Sequence, residues 1–84
     1  MNIQKSNRKH KKLKVLHDGK WIHFGDSRYE HYKDKTGIWS AKDHLDPERR
    51  RRYLARATKI RDGRGRLTHK DKSSPNYWSI NYLW

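Results

Sequence analysis

At 84 residues with no cysteine, the chain is one small domain, with neither a disulfide framework nor a thiolate zinc site to supplement its core. With 31% apolar and 37% charged residues, that core has to be small and to lean on aromatic side chains. The net charge of +13, from 22 Lys and Arg against 9 Asp and Glu, makes the chain repel itself until an anion relieves it. Nucleic acid leads the candidate partners, ahead of anionic membrane and acidic protein.

The N-terminus lacks the apolar run of a signal peptide, and no stretch is long enough to span a bilayer, so membrane insertion is not expected. Residues 1–11 read as a flexible basic arm with only Ile3 to anchor it, and residues 12–84 as a single small α+β domain. Lys5, Arg8, Lys9 and Lys11 on that arm are placed to follow a phosphate backbone, or to serve as a solubilising or targeting tail.

Two alternating runs, Lys12–His17 and Lys20–Gly25, flank Asp18-Gly19, a strong mark of a β-hairpin with a two-residue loop. That loop pairs His17 with Lys20, Leu16 with Trp21, Val15 with Ile22, Lys14 with His23 and Leu13 with Phe24. Leu13, Val15, Ile22 and Phe24 then gather on a core face. Lys12, Lys14, Leu16, Trp21 and His23 form a basic face with one aromatic, a mixture suited to phosphate contact and stacking.

Ser27-Arg28-Tyr29-Glu30 has the spacing of a capping box, with Asp26 as a competing cap, and predicts a short helix that puts Tyr29 and Tyr32 on one face. Ile38-Trp39 follows as an apolar anchor over the hairpin. Residues 46–61 are the strongest helix signal: Asp46 as N-cap, Pro47 at the first position, Glu48 at the positive end of the dipole, and Asp62-Gly63 as the stop. Leu54, Ala57 and Ile60 fall on an apolar stripe with Tyr53, and Arg49, Arg52, Arg56 and Lys59 on an adjacent cationic one. Four cations on one face repel one another unless an anion lies alongside. Within residues 62–76 Arg64 and Arg66 keep the loop basic, and the glycines beside them either let the backbone approach a phosphate or simply turn the chain. Ser74-Pro75 starts a last helix carrying four aromatics, with Tyr77, Ile80 and Trp84 as its stripe. It docks on the hairpin to complete the core; the alternative is an exposed plug for a partner protein.

Six scattered histidines give no H-x-x-x-H pair, so no metal and no cofactor is expected. No serine lies in a nucleophile motif, no phosphate loop of the G-x-x-x-x-G-K type occurs, and Asp43-His44-Leu45-Asp46 reads as a cap and turn, so an enzyme is not expected. The fold class predicted is α+β, an N-terminal hairpin packed against two or three short helices.

His23-Phe24-Gly25-Asp26, Tyr29-Glu30-His31-Tyr32-Lys33-Asp34, His44-Leu45-Asp46-Pro47-Glu48 with the arginines to Tyr53, Ser74-Pro75-Asn76-Tyr77-Trp78-Ser79 and the final Tyr82-Leu83-Trp84 occur in an order that resembles a family of small basic proteins encoded by large nucleocytoplasmic DNA viruses of eukaryotes. The resemblance covers residues 13–84 and implies a virion setting, or the host nucleus or a cytoplasmic viral factory during infection; it implies no reaction. Where similar sequences close the Arg-rich helix with an Arg-His pair, Arg56-Ala57 stands here, so no role is carried over to it. Two functions follow as expectations. The first is nucleic-acid binding without sequence readout, DNA ahead of RNA, in genome condensation or packaging, carried by Lys12, Lys14, Trp21, Arg49, Arg52, Arg56, Lys59, Arg64 and Arg66. The second is a capsid-associated structural protein that binds acidic virion proteins.

Overall fold

A computed structural model describes residues 3–84, leaving Met1 and Asn2 outside the described residues. It is α+β: a three-stranded antiparallel sheet, β1 (Ile3–Lys5), β2 (Lys11–His17) and β3 (Lys20–Asp26), followed by α1 (Pro47–Ala57) and α2 (Pro75–Tyr82).

The hairpin forms in the register its turn dictates. Asp18 and Gly19 take φ of 50° and 73°, the paired left-handed conformation of a type I′ turn, and His17 faces Lys20 across it. Period-two alternation then buries Leu13, Val15, Ile22 and Phe24 together. α2 lies across β3 and closes this core with Trp78 and Leu83, while α1 packs against α2. The close approach of α2 depends on Gly25, whose φ is +77°. A Cβ there would stand 2.7 Å from Leu83 Cδ1 and 3.2 Å from Lys12 Cβ.

Within the basic arm expected at residues 1–11, Ile3–Lys5 form a strand of the sheet, residues 6–10 turn back, and Lys11 opens β2. Ile3, Gln4 and Lys5 pair with Val15, Lys14 and Leu13. The free edge of β2 offers a row of unpaired backbone groups, and Ile3 has the core to pack on. Ser6 secures the return, its backbone N–H on the Lys12 carbonyl at 2.9 Å and its hydroxyl 2.7 Å from His23 Nδ1.

The helix expected from Ser27 does not form. The Asp26 carboxylate accepts the Arg28 backbone N–H at 3.0 Å and grips its guanidinium through both oxygens, and Tyr29 N–H closes a turn on the Asp26 carbonyl. His31 then bridges to Asp43, and the only helical turn in the segment is a 3₁₀ turn at Ser40–Lys42. Trp39 does pack on the core, whereas Ile38 stays exposed.

α1 starts as its caps predict, the Asp46 side chain accepting from Glu48 and Arg49 N–H, but it ends at Ala57, four residues early. Thr58 turns its hydroxyl back onto the Leu54 carbonyl at 2.7 Å, and Asn76 Nδ2 donates to the Ala57 carbonyl at 2.8 Å, taking an acceptor that another helical turn would use. Lys59 and Ile60 are therefore off the helix, and Ile60 is 51% exposed instead of joining the apolar stripe. The same Asn76 bond fixes the rotation of α2. Its buried side chains are Trp78, Ser79 and, just past its end, Leu83, one position round from the stripe expected of Tyr77, Ile80 and Trp84. The aromatic terminus is core. Trp84 stacks on Tyr53 of α1 at 4.0 Å and 7°, and its main-chain oxygen accepts from Arg50 Nε at 2.8 Å.

Candidate nucleic-acid interface

α1 and the sheet lie on either side of α2, so a groove of about 700 Å³ opens between α1 and the end of the hairpin remote from its turn. Helical geometry decides what faces it. Arg49, Arg52, Tyr53 and Arg56 stand at i, i+3, i+4 and i+7, one face of α1, and all four line the groove. Across from them are Lys11, Asp26, Tyr29 and Glu30, with Ser79, Leu83 and Trp84 below.

The charges on the two walls are unequally neutralised. Arg49 reaches across to Glu30 at 3.0 Å, and this bond holds the Glu30 carboxyl below its usual range. Arg52 is 3.3 Å from Glu48 on its own helix, which it shares with Arg51. Arg56 has no carboxylate within 4.0 Å among the described residues. Asp26 is held well below the carboxylate range by the Arg28 side chain, so it remains an anion already matched to a cation. Burial pushes the Tyr53 hydroxyl up and keeps it neutral, hydrogen-bonded with Ser79 at the base. The groove thus combines a cationic rim with an aromatic and apolar base, and the Arg49–Glu30 ion pair spans its mouth.

Three of the nine expected binding residues, Arg49, Arg52 and Arg56, come together here. Lys12 does not belong with them as a surface cation. It is 1% exposed and borders the groove from within the core. Its ammonium lies 2.6 Å from His31 Nδ1, and His31 Nε2 lies 2.5 Å from Asp43 Oδ1. Burial, reinforced by Lys42, lowers the Lys12 pKa to about 8, while Asp26, Asp34 and Asp43 oppose the shift. Burial and the Lys12 charge lower His31, so at neutral pH an ammonium donates to a neutral imidazole, which donates in turn to a carboxylate. Asp43 Oδ1 also accepts the Asp34 N–H at 2.8 Å, and the Asp34 carboxylate accepts from Thr36 and, at 2.7 Å, from the Trp39 N–H. The segment folded over the end of the sheet is what buries Lys12, and Trp39 Nε1 seals it with a 2.8 Å bond to the Lys12 carbonyl.

Lys14 and Trp21 do meet, on the sheet face turned away from α2. Lys14 Nζ stands 4.6 Å over the indole, which is 40% exposed beside an equally exposed Leu16. This pair is separate from the groove. Lys59 lies beyond the end of α1, outside the groove lining. Arg64 and Arg66 are organised by Asp62, which accepts both backbone N–H groups at 2.8 and 3.0 Å and pairs with Arg66 Nε at 3.1 Å. Gly65, at φ +78°, turns this chain and does not bring backbone toward the groove.

Glu30 and the Tyr53–Trp84 stack were not singled out for the site by the sequence, nor was the Lys12–His31–Asp43 relay, and Lys11 was expected only as part of the basic arm. No local spacing announces contacts between residues 12, 31 and 43. The only sign was a lysine next to the strand's first apolar position and a histidine amid tyrosines and aspartates. The Asp43–Asp46 run is used structurally: Asp43 for the relay, Asp46 for the α1 cap, and His44 Nδ1 to accept the Asp46 N–H at 2.9 Å. No three His, Asp or Glu side chains among the described residues converge as a metal site would require. No helix among them is long and apolar enough to cross a membrane.

Residues 1–36 are similar to a protein family described as "Family of unknown function (DUF5754)". That span includes the sheet and the first two members of the relay, Lys12 and His31, and stops before Asp43, α1 and α2. No curated protein and no solved structure matches the chain.

Proposed function

We propose that this protein binds nucleic acid through phosphate contacts with little sequence readout, DNA ahead of RNA, and serves in genome condensation or packaging. The observation that carries the reading is the state of its cations. Among the described residues, five Lys and Arg side chains, Arg28, Arg49, Arg51, Arg52 and Arg66, have a side-chain carboxylate within 4.0 Å, Arg50 is held by the Trp84 main-chain oxygen, and most of the others face solvent. A polyanion replaces the missing carboxylates and relieves the repulsion of a +13 chain. The arginines of α1 are held at fixed spacing by a capped helix, so they offer a preset row for phosphates. The sequence resemblance to small basic proteins of large DNA viruses supplies the setting, a virion or the site of its assembly. The alternative reading, a capsid-associated protein gripping acidic partners, shares the basic surface but has lost its anchoring device, because the aromatic terminus is packed into the core.

The test is affinity against salt, with a 20-nucleotide strand and a 20-base-pair duplex as probes. The expected slope of log K against log salt is about −3 or steeper for at least one of them. Changing Arg49, Arg52 and Arg56 together to Gln flattens it by about 2 to 3. A flat slope with both probes, or no change in the triple variant, overturns the assignment.

A further inference from the structure

We infer that the groove between α1 and the hairpin receives an unpaired polynucleotide strand, with phosphates along the arginine rim and bases on the apolar base. This deepens the reading above and rests on it.

The shape excludes a duplex from the interior. The whole molecule measures 34 × 28 × 22 Å, so a cleft of about 700 Å³ within it has no room for a double helix whose major groove alone is about 12 Å wide. A duplex can only lie across the rim, where it meets arginines and leaves the base of the groove empty. The chemistry points the same way. A phosphate backbone asks for cations, and Arg52, Arg56 and Lys11 would serve it. It has no use for Tyr29, which is 64% exposed on the hairpin side, or Ile60, which is 51% exposed beyond the end of α1. These two large apolar side chains are left in water at separate points of one cationic cleft, with the Tyr53–Trp84 stack beneath. Arg28 lies 5.6 Å over the Tyr29 ring, which keeps the phenol beside a cation and leaves it available for stacking. Only a strand with its bases exposed presents phosphates and flat apolar faces to such a surface at once.

Charge alone argues for the opposite preference, since duplex DNA carries the denser charge and releases more counterions. A preference for the single strand therefore has to come from the apolar side chains the groove exposes, Tyr29 and Ile60. The experiment is fluorescence anisotropy with labelled dT12 and a 12-base-pair duplex at one salt concentration. The protein is wild type, Tyr29→Ala or Ile60→Ala, each checked for native circular dichroism. We expect dT12 to bind about tenfold tighter than the duplex. Tyr29→Ala should weaken dT12 about tenfold, Ile60→Ala less, and both should leave the duplex within about twofold. Duplex binding as tight as dT12, or equal losses for both probes in Tyr29→Ala, overturns the strand assignment while nucleic-acid binding stands. Failure of both probes to bind overturns the two together.

Discussion

Lys12 and Arg56 border the same groove, and their fates are opposite. Lys12 is sealed under the segment that ends at Asp43, its charge matched through His31 to that carboxylate. Arg56 stands on the far wall, and no carboxylate among the described residues lies within 4.0 Å of it. Both are cations that a sequence marks alike as anion-binding. What separates them is what the fold lays over them: the Tyr29–Asp43 segment covers one end of the sheet, and nothing covers the outer face of α1. A cation whose counter-charge is built in belongs to stability, and one whose counter-charge is missing is available to a ligand. The groove joins the two kinds, and changes on either wall tell them apart.

The largest effect is expected where the built-in counter-charge is removed. Asp43→Asn removes one of the three carboxylates that oppose the burial of Lys12, leaving Asp26 and Asp34, and disturbs the acceptor shared by His31 and the Asp34 N–H. Losing a charged acceptor that two buried donors share costs about 1–3 kcal/mol, which urea unfolding will show as a lower midpoint. Arg56→Gln, by contrast, changes stability by no more than about 0.5 kcal/mol, because no buried group depends on it. Equal losses in the two variants would erase the distinction between the walls.

A smaller effect separates them by pH. The folded pKa of Lys12, about 8, lies below its ordinary value of 10.5. Between those two values the unfolded chain holds the proton that the folded chain has released. Stability therefore rises with pH through this window, by up to about 1.4 kcal/mol per pH unit. Above pH 10 the Tyr53 phenol works in the opposite direction, since burial raises its folded pKa and the unfolded chain ionises first. Urea midpoints at pH 8.0 and 9.5 bracket the useful range. The wild type gains stability across it and Lys12→Met loses most of that gain, keeping only the part that comes from general relief of cationic repulsion. An identical gain in both proteins would show that the buried amine does not titrate in this window.

How much of this was legible follows from the range of the forces involved. The hairpin register was fully readable, because Asp18-Gly19 constrains two dihedral pairs and alternation does the rest. The start of α1 was readable for the same reason, since Asp46, Pro47 and Glu48 act within one turn. Its end was not, because Asn76, far along the chain, supplies the bond that stops it. The Ser27–Glu30 capping box failed because Asp26 turned the chain on the Arg28 and Tyr29 N–H groups and the Arg28 guanidinium. The two partners of the box were taken from afar, Ser27 N–H by the His10 carbonyl and the Glu30 carboxylate by Arg49. Helical periodicity placed Arg49, Arg52 and Arg56 on one face, and they share that face in the groove. Lys12 was misplaced because period two assigns it a face but cannot say that a later segment will cover that face.

The smallest change in stability should carry an informative change in binding. Glu30 faces Arg49 across the mouth of the groove, and both side chains are about half exposed. Solvent screens such a pair, so Glu30→Gln is expected to leave the unfolding midpoint unchanged within error. Its effect on a ligand is another matter. In the free protein the carboxylate occupies the guanidinium that a phosphate would need, and it places a negative charge where a polyanion must pass. Removing it leaves Arg49 unpaired and makes the groove one charge more positive. Affinity for dT12 should therefore rise about two- to tenfold at low salt, and the advantage should shrink as salt is added. If Glu30→Gln instead weakens binding, Glu30 holds Arg49 in position for the ligand, and the groove mouth is a preset clamp. A rise shows that the carboxylate competes with the ligand, and that the wild-type protein limits its own affinity at this point.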